Sequence, residues 1–143
     1  AISADEFKTA QEKLLQYGVK ADNRPLWTVL RAAARRNSKI LHETIRDNHF
    51  VVGCRALDKF LVLNEDGYLY PCEILDKPLG NVREYAYNIP ELLTTPQALE
   101  LKKWIKDSQC FCTWECALHN NVIFNPSQAP NLIREWIGVM SGL

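Results

Sequence analysis

Phe60-Leu61-Val62-Leu63-Asn64-Glu65-Asp66-Gly67-Tyr68-Leu69-Tyr70-Pro71-Cys72 is the stretch that decides the fold. Phe60 and Val62 before the turn, and Tyr68 and Tyr70 after it, recur at every second residue, which is the period of a β-strand. Between them Asn64-Glu65-Asp66-Gly67 reads as a tight turn, in which Asp-Gly supplies the positive backbone angles of a hairpin connection. Pro71 has no N–H to give to a ladder and suits the strand's exit. The hairpin puts Cys54 just before the first strand and Cys72 at the end of the second. The two thiols can therefore lie near each other at the open end of the ribbon.

N-terminal to the hairpin the pattern is helical. Ser3 with Glu6 three positions on forms a capping box, and Phe7, Ala10 and Leu14 follow at helical spacing until Tyr17-Gly18, predicting a helix over 4–17. Asp22-Asn23 before Pro25 is a second start signal. Leu26, Leu30, Ala33, Leu41 and Ile45 then keep one face apolar over a long segment that Asn37-Ser38 can divide. Arg31, Arg35, Arg36 and Lys39 crowd this segment. They read as a solvated helix face, with contact to an acidic partner or a neighbouring domain as the functional alternative.

C-terminal to the hairpin, residues 75–93 read as loop, carrying Pro78, Gly80-Asn81 and Pro90. Thr95-Pro96 opens a helix whose packed face is Ala98, Leu101 and Ile105 and which ends near Asp107-Ser108. Cys110-Phe111-Cys112-Thr113-Trp114-Glu115-Cys116 follows directly. Another loop, punctuated by Asn125-Pro126 and Pro130, precedes a last amphipathic helix carrying Leu132, Ile133, Trp136, Ile137 and Met140. The fold class expected is α+β: a small β-hairpin-centred, cysteine-rich domain over 49–143, preceded by a helical segment over 1–48.

The 143 residues suffice for a buried core without disulfides, and 47% hydrophobic with 24% charged residues excludes a disordered chain. Seventeen basic residues balance seventeen acidic ones, so no global positive field exists to gather nucleic acid or an anionic membrane. There is no apolar run of membrane-spanning length and no apolar signal core after Ala1-Ile2-Ser3, which points to the cytoplasm. No Ser-His-Asp order, phosphate-binding glycine loop or zinc-protease motif occurs.

The chemistry lies in the cysteines. Five is an odd number for a disulfide framework, and Cys110, Cys112 and Cys116 fall within seven residues while Cys54 and Cys72 stand apart. Thiolates are soft ligands that select zinc, copper or iron-sulfur over magnesium or calcium. Zinc fits Cys112 and Cys116, which enclose three residues; the wide interval between Cys54 and Cys72 needs the hairpin to close it. A four-iron cluster tolerates such widely separated ligands. His119 extends the group to Cys112-x3-Cys116-x2-His119 but reads more readily as a solvated polar residue, and His42 and His49 have no cysteine near them. Trp114, between two cysteines, is the tryptophan suited to shielding a metal from water.

The stretch from Cys54 to Cys116 resembles the SPASM or twitch domain found C-terminally in radical SAM enzymes. The resemblance rests on Cys54, twelve intervening residues, Gly67, four intervening residues and Cys72. Leu79-Gly80-Asn81, the helix from Thr95 and the Cys110–Cys116 turn then follow in the order such domains show, covering about residues 50 to 126. The resemblance implies an auxiliary four-iron four-sulfur (4Fe-4S) cluster serving electron transfer or substrate binding. Its ligands would be Cys54, Cys72 and Cys116 with Cys112 or Cys110 as the fourth, Cys112 being favoured if the turn is helical. Complete SPASM domains carry seven cysteines for two clusters, so five fit the one-cluster twitch form. The family's CxxxCxxC loop, which binds the cluster that cleaves S-adenosylmethionine, does not occur in this sequence. With a first residue other than Met, this raises the expectation of a piece of a longer enzyme, not catalytic alone. Residues 1–48 would connect it to an N-terminal radical SAM barrel, its partner, and a peptide or small molecule would be the substrate. A structural zinc module mediating interaction is the alternative.

Overall fold

The computed structural model describes residues 3–17 and 24–142, and the fold is α+β. The stop at Gly18 and the start signal at Asp22-Asn23 lie outside the described residues. Two compact units form. One comprises residues 1–52 with 111–143, and the other is Gly53–Cys110. The C-terminal segment from Phe111 on groups with the N-terminal helices.

The first unit is helical. Helix α1 (Ala4–Tyr17) opens on the capping box: Ser3 N–H donates to Glu6 Oε2 at 2.9 Å and Glu6 N–H donates to Ser3 Oγ at 3.2 Å. Helix α2 (Pro25–Asp47) starts with Pro at its first position and ends at Asn48, whose left-handed backbone (φ 47°) lets its N–H reach Thr44 O. It runs unbroken through Asn37-Ser38. Asn37 falls four residues after Ala33 and four before Leu41, all three buried, so the core face continues where a break was expected. Helices α5 (Glu115–Ile123) and α6 (Ala129–Met140) complete the unit. Its core gathers Ile40 and Leu41 of α2, Val52, and Leu118 and Val122 of α5, with Phe7 and Leu132 packed alongside.

Among the basic residues of α2, Arg36 is drawn off the solvated face, and the exposed Lys39 pairs with a buried carboxylate. Arg36 is 9% exposed and its Nε donates to Gln128 Oε1 at 2.9 Å; Lys39 Nζ lies 2.5 Å from Oε1 of the buried Glu135. Near the start of α2, Trp136 Nε1 donates to Thr28 Oγ1 at 3.0 Å. Residues 28 and 36 of α2 thus meet 136 and 128, so α6 lies antiparallel to α2. The segment's amphipathic pattern could not show that α6 supplies the partners of these polar groups.

The second unit is centred on the hairpin. Strand β1 (Val62–Leu63) pairs antiparallel with β2 (Tyr68–Tyr70), Val62 opposite Tyr70, and β2 pairs with β3 (Gly80–Asn81), Leu69 opposite Gly80. Within the expected loop, β3 runs into a 3-10 turn at Val82–Tyr85 and is followed by the short helix α3 (Ile89–Leu92). Helix α4 (Pro96–Asp107) is capped by Thr95, whose Oγ1 accepts from Ala98 N–H. Leu69, on the central strand and wholly buried, meets Leu79, Val82 and Leu92 together with Ala98, Leu101 and Ile105 of α4.

Gly67 is the conformational pivot of this sheet. Its φ of +91° is a backbone state that side chains disfavour, and a Cβ there would run into the Arg83 guanidinium and Asn81 Oδ1. Both of those side chains donate to Asp66 O, binding the hairpin turn to the third strand. Gly67→Ala is expected to destabilise the second unit by about 1–3 kcal/mol, read as a lower urea midpoint at unchanged slope.

At the other end of the chain, the Glu6 carboxylate is held below the ordinary range, first by the backbone N–H of Ser3 and then by its hydroxyl. Its cap is therefore complete above the ordinary carboxylate value and is lost as pH falls through the lowered folded-state value. Amide exchange in the first turn of α1 should accelerate over that acidic window, beyond its intrinsic pH dependence, and Glu6→Gln should flatten the response.

Candidate functional site

All five cysteines are thiols, with none in a disulfide. In the second unit Cys54 and Cys110 are both half-buried against the hairpin core. Cys54 is brought there by the segment leading into β1. Cys110 is set by the end of α4, where Gln109 takes a left-handed backbone (φ 51°) and Cys110 N–H donates to Ile105 O at 3.1 Å. Cys72 follows the buried Pro71 at the exit of β2, and its Sγ accepts from Leu75 N–H at 3.3 Å.

Cys112 and Cys116 belong to the first unit. Residues 110–114 have no regular structure and α5 begins at Glu115. Cys112 and Cys116 therefore do not share a helix, and the geometric ground for preferring Cys112 as fourth ligand is removed. Cys116 is exposed in the first turn of α5, where Glu115 also stands. Trp114 is 44% exposed. His119 lies one turn beyond Cys116 on α5 and is half-buried, not fully solvated. Among the described residues, no group of three or more His, Cys, Asp or Glu side chains is placed to hold a metal ion.

Cys116 and His119 border a cleft of about 410 Å³ within the first unit, whose other walls come from α1 and α2. Gln11 of α1 crosses one side: its Nε2 donates to Glu115 Oε1 at 3.1 Å and its Oε1 accepts from Ser38 Oγ at 2.6 Å. Sequence reasoning passed over Gln11, Asn37 and Glu115. For Asn37 a signal existed: a polar residue at the core position between Ala33 and Leu41.

No protein-family model matches the sequence, and comparison with curated proteins and with solved structures gives no significant match. No described helix is long and apolar enough to cross a membrane.

The exposures rank the thiols. In metal-free protein Cys116 should be alkylated by iodoacetamide before Cys54, Cys72, Cys110 and Cys112, each of which is half-buried. Peptide mass spectrometry after a brief pulse gives the order.

Proposed function

We propose that the chain is a twitch-type auxiliary domain of a radical SAM enzyme that binds one 4Fe-4S cluster and serves electron transfer or substrate binding. The observation that carries this reading is the Cys54-x12-Gly67-x4-Cys72 spacing laid over an antiparallel hairpin whose turn requires Gly67. Three further features support it. Every cysteine is a thiol, Cys54 and Cys110 are held against the core under the hairpin, and the Cys72 sulfur already receives a backbone N–H. Such N–H···S bonds and partial burial are what set the potential of an iron-sulfur centre.

Cys54, Cys72 and Cys116 are the ligands this reading calls for, with Cys110 or Cys112 as the fourth. The side chains as they stand are not gathered into a ligand set. The donor chemistry suits the cluster, and gathering the thiols is a step that metal binding drives. One-electron redox capacity is what the cluster supplies when bound. The protein's own contribution is to fix the hairpin thiols, exclude water from the core side and donate N–H groups to sulfur. The partner is a radical SAM barrel, and the substrate is a peptide or small molecule.

Anaerobic reconstitution with ferrous iron and sulfide tests the proposal. The expected product is brown protein with about four iron and four sulfide per chain. Cys54→Ser, Cys72→Ser and Cys116→Ser should each lower the iron content, and Cys110→Ser against Cys112→Ser identifies the fourth ligand. With S-adenosylmethionine and a reductant, the loaded domain alone should form no 5′-deoxyadenosine. A protein that refuses iron and binds stoichiometric zinc overturns the cluster in favour of a structural zinc module.

A further inference from the structure

Helix α6 turns its apolar side away from the fold. Glu135 and Val139 are buried, while Ile133, Ile137 and Met140, roughly opposite them around the helix, are 57–58% exposed. Apolar side chains scattered over a surface are ordinary, but three at positions i, i+4 and i+7 make one continuous stripe, the pattern by which helices anchor to one another. Arginines line one edge of it. A Cβ at Gly138 would lie 3.7 Å from Arg35 Nη1, so Arg35 of α2 rests against the flank of α6 that carries Gly138. Arg134, one turn before Gly138, shares that flank, and Arg31, one turn before Arg35, shares the same side of α2. No Asp or Glu occurs over 23–42, and Glu135 is the one carboxylate side chain over 117–143. It is buried and engaged by Lys39. In a chain of zero net charge, this edge is therefore a local concentration of positive charge.

We infer that the outward face of α6 is a docking surface for an acidic amphipathic helix of a partner protein, its apolar residues laid along Ile133, Ile137 and Met140 and its carboxylates directed to Arg31, Arg35 and Arg134. A helix fits because the first unit has no strand among the described residues, so no sheet edge is offered, and a helical stripe is matched by ridges of the same period. Carboxylates fit because guanidinium groups pair with them through charge-assisted, often two-pronged hydrogen bonds. A second copy of this chain would present the same apolar stripe but bring arginines where carboxylates are needed, and like charges meeting across an interface select against that pairing. A nucleic acid would engage the arginines and leave the apolar stripe against phosphate and sugar. The positive edge lies on one side only, since Arg134 is the one basic residue of α6 and Trp136 occupies the opposite flank. A helix can confine its charge to one side of its apolar face, which a uniformly charged bilayer cannot. The surface requires no metal and is independent of the cluster reading.

The probe is a fluorescein-labelled synthetic peptide of about three heptads, with Leu at the first and fourth positions of each heptad and Glu on the flanks. The same peptide with Lys in place of Glu is the control. Fluorescence anisotropy with the full, metal-free chain should show saturable binding of the Glu peptide with a Kd of about micromolar at low salt, about tenfold tighter than the Lys peptide. The difference should shrink in about 0.5 M salt. Ile137→Ser removes the middle of the stripe and should weaken the Glu peptide about tenfold. Arg134→Glu should weaken the Glu peptide about fivefold and tighten the Lys peptide by a similar factor, a reversal that loss of folding does not produce. Both residues are exposed, so circular dichroism and the melting temperature should match those of the parent. Absence of saturable binding, equal affinity for the two peptides, or undiminished affinity in Ile137→Ser would each overturn the proposal. So would a dimer in sedimentation that Ile137→Ser dissolves, since the face is then covered by its own copy. Cosedimentation of the parent, but not of Ile137→Ser, with phosphatidylglycerol vesicles would overturn it in favour of a lipid surface.

Discussion

The first unit depends on the polar seam between α2 and α6. Thr28, Arg36 and Lys39 along one helix meet Trp136, Gln128 and Glu135 on or just before the other. Each hydrogen bond adds about 0.5–1.5 kcal/mol net. Its larger effect is on register. Sliding α6 by a residue along α2 would leave Glu135 and Arg36 buried without partners, and an unpaired buried charge is far more destabilising than a lost apolar contact. The polar pairs select one alignment of the two helices. That alignment sets how α5, following Cys112 and preceding α6, is held against α2, and therefore where Cys116, His119 and the cleft fall.

In the second unit a comparable constraint acts through the backbone. The strands are two or three residues long, too short for ladder hydrogen bonds to hold a sheet alone. What fixes them is Leu69, sealed between β3 and α4, and the carbonyl of Asp66, which takes donors from both Asn81 and Arg83. Gly67 lets the turn close underneath those side chains. The glycine therefore has two roles, one conformational and one steric, which explains why the turn residue and the start of the third strand are coupled.

The elements legible in the sequence are those whose signals are local. The capping box at Ser3 and Glu6, Pro25 at the start of α2, the Asp66-Gly67 turn and Thr95-Pro96 each state a boundary within a few residues, and helices or strands stand there. What the sequence did not disclose was decided by tertiary partners. Gly80-Asn81 reads as loop because two residues carry no period; they become a strand because β2 has an open edge beside them. His119 reads as a solvated polar residue, yet it stands half-buried on a helix because Leu118 and Val122, on either side, are drawn into the α2 core. The Arg-rich segment reads as solvated because its acceptors, Gln128 and Glu135, lie some hundred positions away. Of the site, the thiols and the hairpin spacing were visible. The cleft was not, since its walls come from three helices distant in sequence.

The distribution of stabilising interactions bears on what a bound metal would do. The first unit has a long continuous helix, an apolar core and the polar seam. Gly53–Cys110 is the shorter unit, with three minimal strands and the helices α3 and α4 gathered around one core cluster. Units of that size commonly gain much of their stability from a disulfide or a metal because a small core leaves little margin over chain entropy. Disulfides do not occur among its cysteines, and Cys54 and Cys110 stand at its two ends, both resting on the same core. A thiolate-bound metal engaging even those two would tie the entry of the unit to its exit and close the longest loop the unit contains. That closure restricts the unfolded chain far more than the already ordered helices of α1 and α2, so metal chemistry and stability would converge on the hairpin half of the molecule.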